Sequence, residues 1–150
     1  TFGPQKVISR VADNVQCVHG EDLDGDGDVD VLSASSGDSK IAWYENLGSG
    51  NFSSENVIAT AAGGVYSVYA ADLDNDGDVD VLSASADDNK IAWYENEGTG
   101  SFGDQHVITT SARGAWSVFA CDLDGDGDID LLNDLRDADH DSDAYPVYAL

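Results

Sequence analysis

Apolar residues fall in short runs that end abruptly at clusters of Gly, Asn, Asp and Ser. Residues 65–71 (VYSVYAA) and 115–121 (AWSVFAC) are β-branched and aromatic, and each stops at a run of aspartates; such segments read as strands. The same pattern predicts further strands over 79–85, 90–95 (KIAWYE) and 102–108. The connectors 86–89 and 96–101 carry the Gly, Asn, Asp and Ser that hairpin turns require. No window holds an apolar face at helical spacing, and the chain has only 2 prolines, so the expected class is all-β.

Self-comparison at an offset of 50 aligns almost the whole chain without a gap. Residues 22–50 and 72–100 are identical at 23 of 29 positions, and a third copy opens with DLDGDGDIDLL over 122–132. A repeat of this period points to stacked supersecondary units. Four short antiparallel strands per unit form a blade, and blades set about an axis form a β-propeller. Phased from the first strand of each unit, residues 15–58 make blade one, 65–108 blade two and 115–150 a divergent blade three with a tail. Residues 1–8 match the fourth-strand segments that open at Phe52 and Phe102, so they are expected to form an orphan outer strand. After Leu132 the third copy reads NDLRDADHDSDAYPVYAL, and its Ile-Ala-Trp-Tyr strand is expected to be missing. Three blades are fewer than the four that ordinarily close a ring. The chain is therefore expected to be a segment of a longer propeller, a protomer that associates to complete a ring, or a stack capped by its C-terminal tail.

Charge narrows the range of partners. The 150 residues carry 30 Asp plus Glu against 6 Lys plus Arg, a formal net charge of −24. That field disfavours nucleic acid and anionic lipid and favours cations. The apolar residues are too dispersed for a membrane span. Aspartates number 25 and glutamates 5, and short carboxylates suit tight loops and hard metal ions. The opening Thr1-Phe2-Gly3 has neither an initiator Met nor a leader pattern, so the sequence reads as a processed product or an excised piece.

Half of the acidic residues lie in one motif, D-x-D-x-D-G-x-x-D, which occurs three times. Its residues are Asp22, Asp24, Asp26, Asp28 and Asp30; Asp72, Asp74, Asp76, Asp78 and Asp80; and Asp122, Asp124, Asp126, Asp128 and Asp130. The first, third and fifth residues can turn three carboxylates toward one point. Glycine at the sixth position (Gly27, Gly77, Gly127) permits the reversal, the seventh residue offers its backbone carbonyl, and the ninth adds a carboxylate. Oxygen donors alone in a flexible loop suit Ca²⁺, about three ions per chain, over Mg²⁺ or zinc. The side chains of Asp28, Asp78 and Asp128 are expected to point outward. An EF-hand is excluded because the twelfth residue is Ser33, Ser83 or Asn133 and both flanks read as strand.

Taken together, these motifs resemble the FG-GAP/VCBS repeat family, the integrin α-chain type of calcium-binding propeller. The resemblance rests on Phe2-Gly3 and Phe102-Gly103, on the three aspartate loops, and on Ile41-Ala42-Trp43-Tyr44-Glu45-Asn46 with its copy at 91–96. It spans residues 1–133. It implies a propeller with calcium in the hairpin between the first and second strands, in a secreted or cell-surface protein. The implied role is structural, adhesive or protein-binding, with an extracellular protein or a glycan as partner; carbohydrate binding is the alternative function.

Nothing in the sequence assembles a catalytic site, and the chain reads as a non-enzyme. His19, His106 and His140 occupy unrelated phases of the repeat, which marks them as local packing or surface residues. No nucleophile motif or phosphate loop is present. Trp43 and Trp93 are expected in the core between blades, with sugar stacking as the functional alternative. Cys17 and Cys121 allow one disulfide but sit at unmatched repeat positions, so small buried thiols are expected instead.

Overall fold

In the computed structural model, which describes residues 3–135 and 147–149, every regular element is a β-strand. Blade one is an antiparallel meander of β1 (Val15–Glu21), β2 (Asp30–Ser35), β3 (Lys40–Tyr44) and β4 (Asn56–Ala59). Blade two repeats it with β5 (Val65–Ala71), β6 (Asp80–Ser85), β7 (Lys90–Asn96) and β8 (Phe102–Thr109). Blade three contains β9 (Ala115–Cys121), β10 (Asp130–Leu135) and β11 (Val147–Ala149). The three sheets do not close a ring among the described residues.

Register is copied from blade to blade. Val18 faces Ser33, Val68 faces Ser83 and Val118 faces Asn133 across the first strand pair. In each blade this pair slips by one residue, at Gln16, Tyr66 and Trp116. A residue left unpaired by such a bulge turns its side chain away from the regular alternation. At this position Tyr66 and Trp116 stack across the blades, with ring centroids 4.2 Å apart, which gives the Tyr-to-Trp variation a packing role.

Alternation sends Leu32, Ala34, Ile41 and Trp43 toward blade two, where they join Val65, Val68, Ala70, Val81 and Tyr94 in one buried cluster. One period later Leu82, Ala84 and Ile91 join Ala115, Val118 and Ala120, with Trp93 packed alongside. Each blade thus buries one face on its successor, which is why the strands read as nearly continuous apolar runs. The third and fourth strands are also pinned by Lys40, which reaches Asp38 and Glu55, both at 2.9 Å. In blade two Gln105 replaces Glu55 and bridges Lys90 to the Tyr94 hydroxyl.

Two sequence expectations are corrected. Residues 3–8 form no strand: β4 and β8 exist by pairing with β3 and β7, and residues 3–8 pair with no strand among the described residues. Conversely, the third strand of blade three is present. β11 places Val147 opposite Asp134, as Ile41 lies opposite Ala34. A Val-Tyr-Ala triplet thus fills the free edge of β10. His140 and the remainder of that connection, 136–146, lie outside the described residues.

Cys17 and Cys121 are free and half-buried. They lie on β1 and β9, with β5 between them, so no bridge joins them; the Cys17 thiol instead lies 3.7 Å from the Val68 carbonyl of blade two.

Candidate metal centres in the aspartate loops

Each aspartate loop joins the first strand of a blade to the second. The ninth residue begins the second strand, and in the first two blades it is completely buried, as Asp30 and Asp80. Its carboxylate oxygens are both engaged: Asp30 accepts the Leu23 amide at 3.0 Å and the Asn46 amide at 2.8 Å, and Asp80 accepts those of Leu73 and Asn96 at 2.9 and 2.8 Å. Asp130 accepts the Leu123 amide at 3.0 Å.

The first residue holds the turn together. Both oxygens of Asp22 accept loop amides, from Gly25 and Gly27, and Asp122 does the same with Gly125 and Gly127. Asp72 accepts the amides of Asp76 and Gly77. The sixth residue must be glycine for conformational reasons: φ is +92°, +98° and +98° at Gly27, Gly77 and Gly127, while a Cβ there would meet no atom within 4 Å. Backbone handedness, not crowding, therefore sets this choice.

Carboxylates of the first, third and ninth residues converge in all three loops. Asp22, Asp24 and Asp30 each bring an oxygen within 4.8 Å of the others, as do Asp72, Asp74 and Asp80, and Asp122, Asp124 and Asp130. Two oxygens each about 2.4 Å from a Ca²⁺ ion are separated by at most about 4.8 Å, so this donor set fits that ion. The remaining sites on a calcium shell would fall to the fifth carboxylate, the seventh carbonyl and water. The fifth residue behaves differently in the three copies. Asp26, Asp76 and Asp126 each accept the amide of the seventh residue at 2.8–3.0 Å, and only Asp76 joins a converging set, with Asp74 and Glu95. Asp28, Asp78 and Asp128 enter none of these sets among the described residues; the first two lie toward the Gly48 and Gly98 turns.

Sequence reasoning missed the Leu amides, Asn46 and Asn96, and Glu95. The signal was present in the repeated Glu-Asn that closes the third strand, where alternation assigned only a strand role. Of the histidines, His19 and His106 serve as packing groups: His19 tilts against Tyr69 and His106 stacks on Trp93.

Burial raises the carboxyl pKa of Asp30 and Asp80 above the ordinary 3.8, against the lowering effect of their two backbone hydrogen bonds, and the neighbouring loop carboxylates raise it further. Folded-state protonation is thus favoured relative to the unfolded chain. The stability tied to these two groups is full below the unfolded value and is lost as pH rises through the raised one. Calcium-stripped protein should therefore lose melting temperature as the pH is raised from the ordinary carboxyl value of 3.8 toward neutrality. Saturating calcium should remove or reverse that trend; identical profiles with and without calcium would contradict it.

The convergence of the third residue, and the absence of the seventh from each set, predicts a contrast between neighbours. Asp74→Ala should abolish the calcium-dependent gain in melting temperature contributed by blade two. Asp78→Ala should leave most of it. Equal losses would contradict the assignment of ligands.

A family model described as the FG-GAP-like repeat matches residues 22–83 and again 72–132. A comparison with curated proteins gives no match. Among similar solved structures is that of a lectin from Agrocybe aegerita that recognises non-reducing terminal N-acetylglucosamine. It is 22% identical with a TM-score of 0.63, and the alignment covers 88% of this chain and 38% of the lectin chain. At that identity the likeness concerns the fold alone. No helix among the described residues is long and apolar enough to cross a membrane.

Proposed function

This chain belongs to the FG-GAP-like repeat family, and from that premise we propose that it is an extracellular, calcium-binding β-propeller module with a structural, adhesive or protein-interaction role. FG-GAP-like repeats are structural and adhesive modules, not catalytic ones, and are typically extracellular. The observation that carries the metal reading is the recurrence of the same three converging carboxylates in each blade. Ion binding there would cancel repulsion that otherwise opposes the turn, so calcium acts as part of the fold.

The propeller reading rests on the faces left open. Val15 and Val18 on β1 are 44% and 66% exposed, whereas Val65 and Val68 on β5 are 0% and 3% exposed beneath blade one. At the other end Leu123 is 57% exposed where Leu23 is 1%. An apolar face repeated in this way asks for another blade of the same kind. Three repeats account for 38% of the longer lectin chain, a proportion that suits a ring of which this chain supplies a part. A second copy of the chain would bring the blade number to six, within the four to eight of closed propellers. Sedimentation at micromolar protein in excess calcium tests this: a ring-sized assembly that dissociates on chelation is expected, and a stable monomer with unchanged melting would reject it.

The fold likeness to a lectin supports carbohydrate binding as the second reading. Trp93 lies half-buried beside a cleft of about 200 Å³ lined by Leu73, Ile108, Ile129 and Leu131, where Trp43 in the preceding blade is 5% exposed. Glycan-array binding lost both on chelation and in Trp93→Ala would favour this reading over a purely structural one; an array silent in calcium would count against it.

A further inference from the structure

We propose that Asn96 couples the first two aspartate loops, so that calcium in one raises the affinity of the other while the third loop binds independently. This inference rests on the calcium reading above. Asn96 is 1% exposed, and each of its polar atoms is used at the junction of blades one and two. Its backbone amide donates to Asp80 Oδ1 at 2.8 Å. Its side-chain Nδ2 donates to the Val79 carbonyl at 3.0 Å and, across the blades, to the Leu23 carbonyl at 2.8 Å. Its Oδ1 accepts the Gly98 amide at 3.2 Å.

Both ends of this link adjoin ligands. The Leu23 carbonyl belongs to the peptide joining Leu23 to Asp24, and the Leu23 amide holds Asp30; Asp24 and Asp30 belong to the first converging set. The Val79 carbonyl belongs to the peptide joining Val79 to Asp80, in the second set. A hydrogen-bonded line therefore runs from the Asp30 carboxylate through Leu23 and Asn96 to the Asp80 carboxylate. An ion that orders the first loop orients the Leu23 carbonyl and so holds Asn96 where it supports Asp80. The second ion then orders less chain on binding, which is positive coupling, and coupling of this kind is reciprocal.

The repeat supplies internal controls. Asn46 makes the same bonds within its own blade, to Asp30, Val29 and Gly48, but no cross-blade bond among the described residues. Between loops two and three, among the described residues, no side chain donates to the Leu73 carbonyl. Coupling is therefore confined to the first pair.

Calcium titration of the full chain, followed through the amide resonances of Gly27, Gly77 and Gly127, reports each loop separately. Disabling loop one with Asp24→Ala should lower the affinity of loop two about 5-fold or more and leave loop three unchanged. By reciprocity Asp74→Ala should lower loop one by the same factor, a comparison that leaves Asn96 intact. In an Asn96→Ala background the effect of Asp24→Ala on loop two should vanish. Loop two indifferent to Asp24→Ala, or a fall that persists in Asn96→Ala, would overturn the coupling while leaving the calcium sites standing. Silence of all three glycines on calcium addition would overturn both.

Discussion

Asp80→Ala should cost blade two about 2–3 kcal/mol, because it leaves the buried Asn96 amide and the part-buried Leu73 amide without an acceptor, a buried orphan being worth about 1–3 kcal/mol. The informative partner is Asp80→Asn. Its amide oxygen can still accept one of the two hydrogens, and it removes a carboxylate whose ionisation burial already opposes. In calcium-stripped protein Asp80→Asn should therefore match or exceed the native chain in urea stability. In saturating calcium the order should invert, since the native carboxylate gains a cation and the amide does not. An Asn variant less stable than the native protein by the same amount in both conditions would show that Asp80 serves the hydrogen bonds alone.

Gly100→Ala should be damaging although it lies outside the metal loops, at about 2–4 kcal/mol. Gly100 has φ +72°, and a Cβ there would fall on the Trp43 indole of blade one. The left-handed conformation costs an alanine about 1 kcal/mol, and the overlap with a 5%-exposed ring adds an overpacking penalty of about 1–3 kcal/mol. Gly50 is the control. Its φ is +75°, but the group its Cβ would meet is the mobile end of Lys6, so Gly50→Ala should show the conformational cost alone. Urea midpoints separate the two, and equal losses would mean that the blade-two turn does not seat on Trp43 in solution.

That turn also shows what a single sequence could and could not convey. Alternation and the 50-residue offset made the strands legible because side-chain direction in a strand has a period of two. Boundaries fell within a residue or two, at 80–85 against an expected 79–85 and at 102–109 against 102–108. The β11 strand was not legible, because three residues after a long, acidic connection carry too little pattern; only pairing with the edge of β10 reveals them. Residues 3–8 mislead in the opposite sense. They keep the Val-Ile of a fourth strand, yet a strand is a property of two paired segments, and residues 3–8 pair with none among the described residues.

The candidate site divides in the same way. Spacing anticipated the convergence of the first, third and ninth carboxylates in each loop, whereas of the fifth residues only Asp76 joins a converging set among the described residues. The supporting groups were hidden because Asn96 meets Leu23 from 73 positions away, and no local rule links them. Burial of Asp30 and Asp80 was likewise invisible, as it depends on blades stacking over the loops.

Counting bound calcium is the most direct test of the central claim. Equilibrium binding to the stripped chain, by titration calorimetry with native mass spectrometry, should give three ions per chain. Asp24→Ala, Asp74→Ala and Asp124→Ala should each remove one, and Asp78→Ala none. A chain that binds no calcium, or that keeps its full complement when all three of those loop aspartates are replaced, would contradict the account.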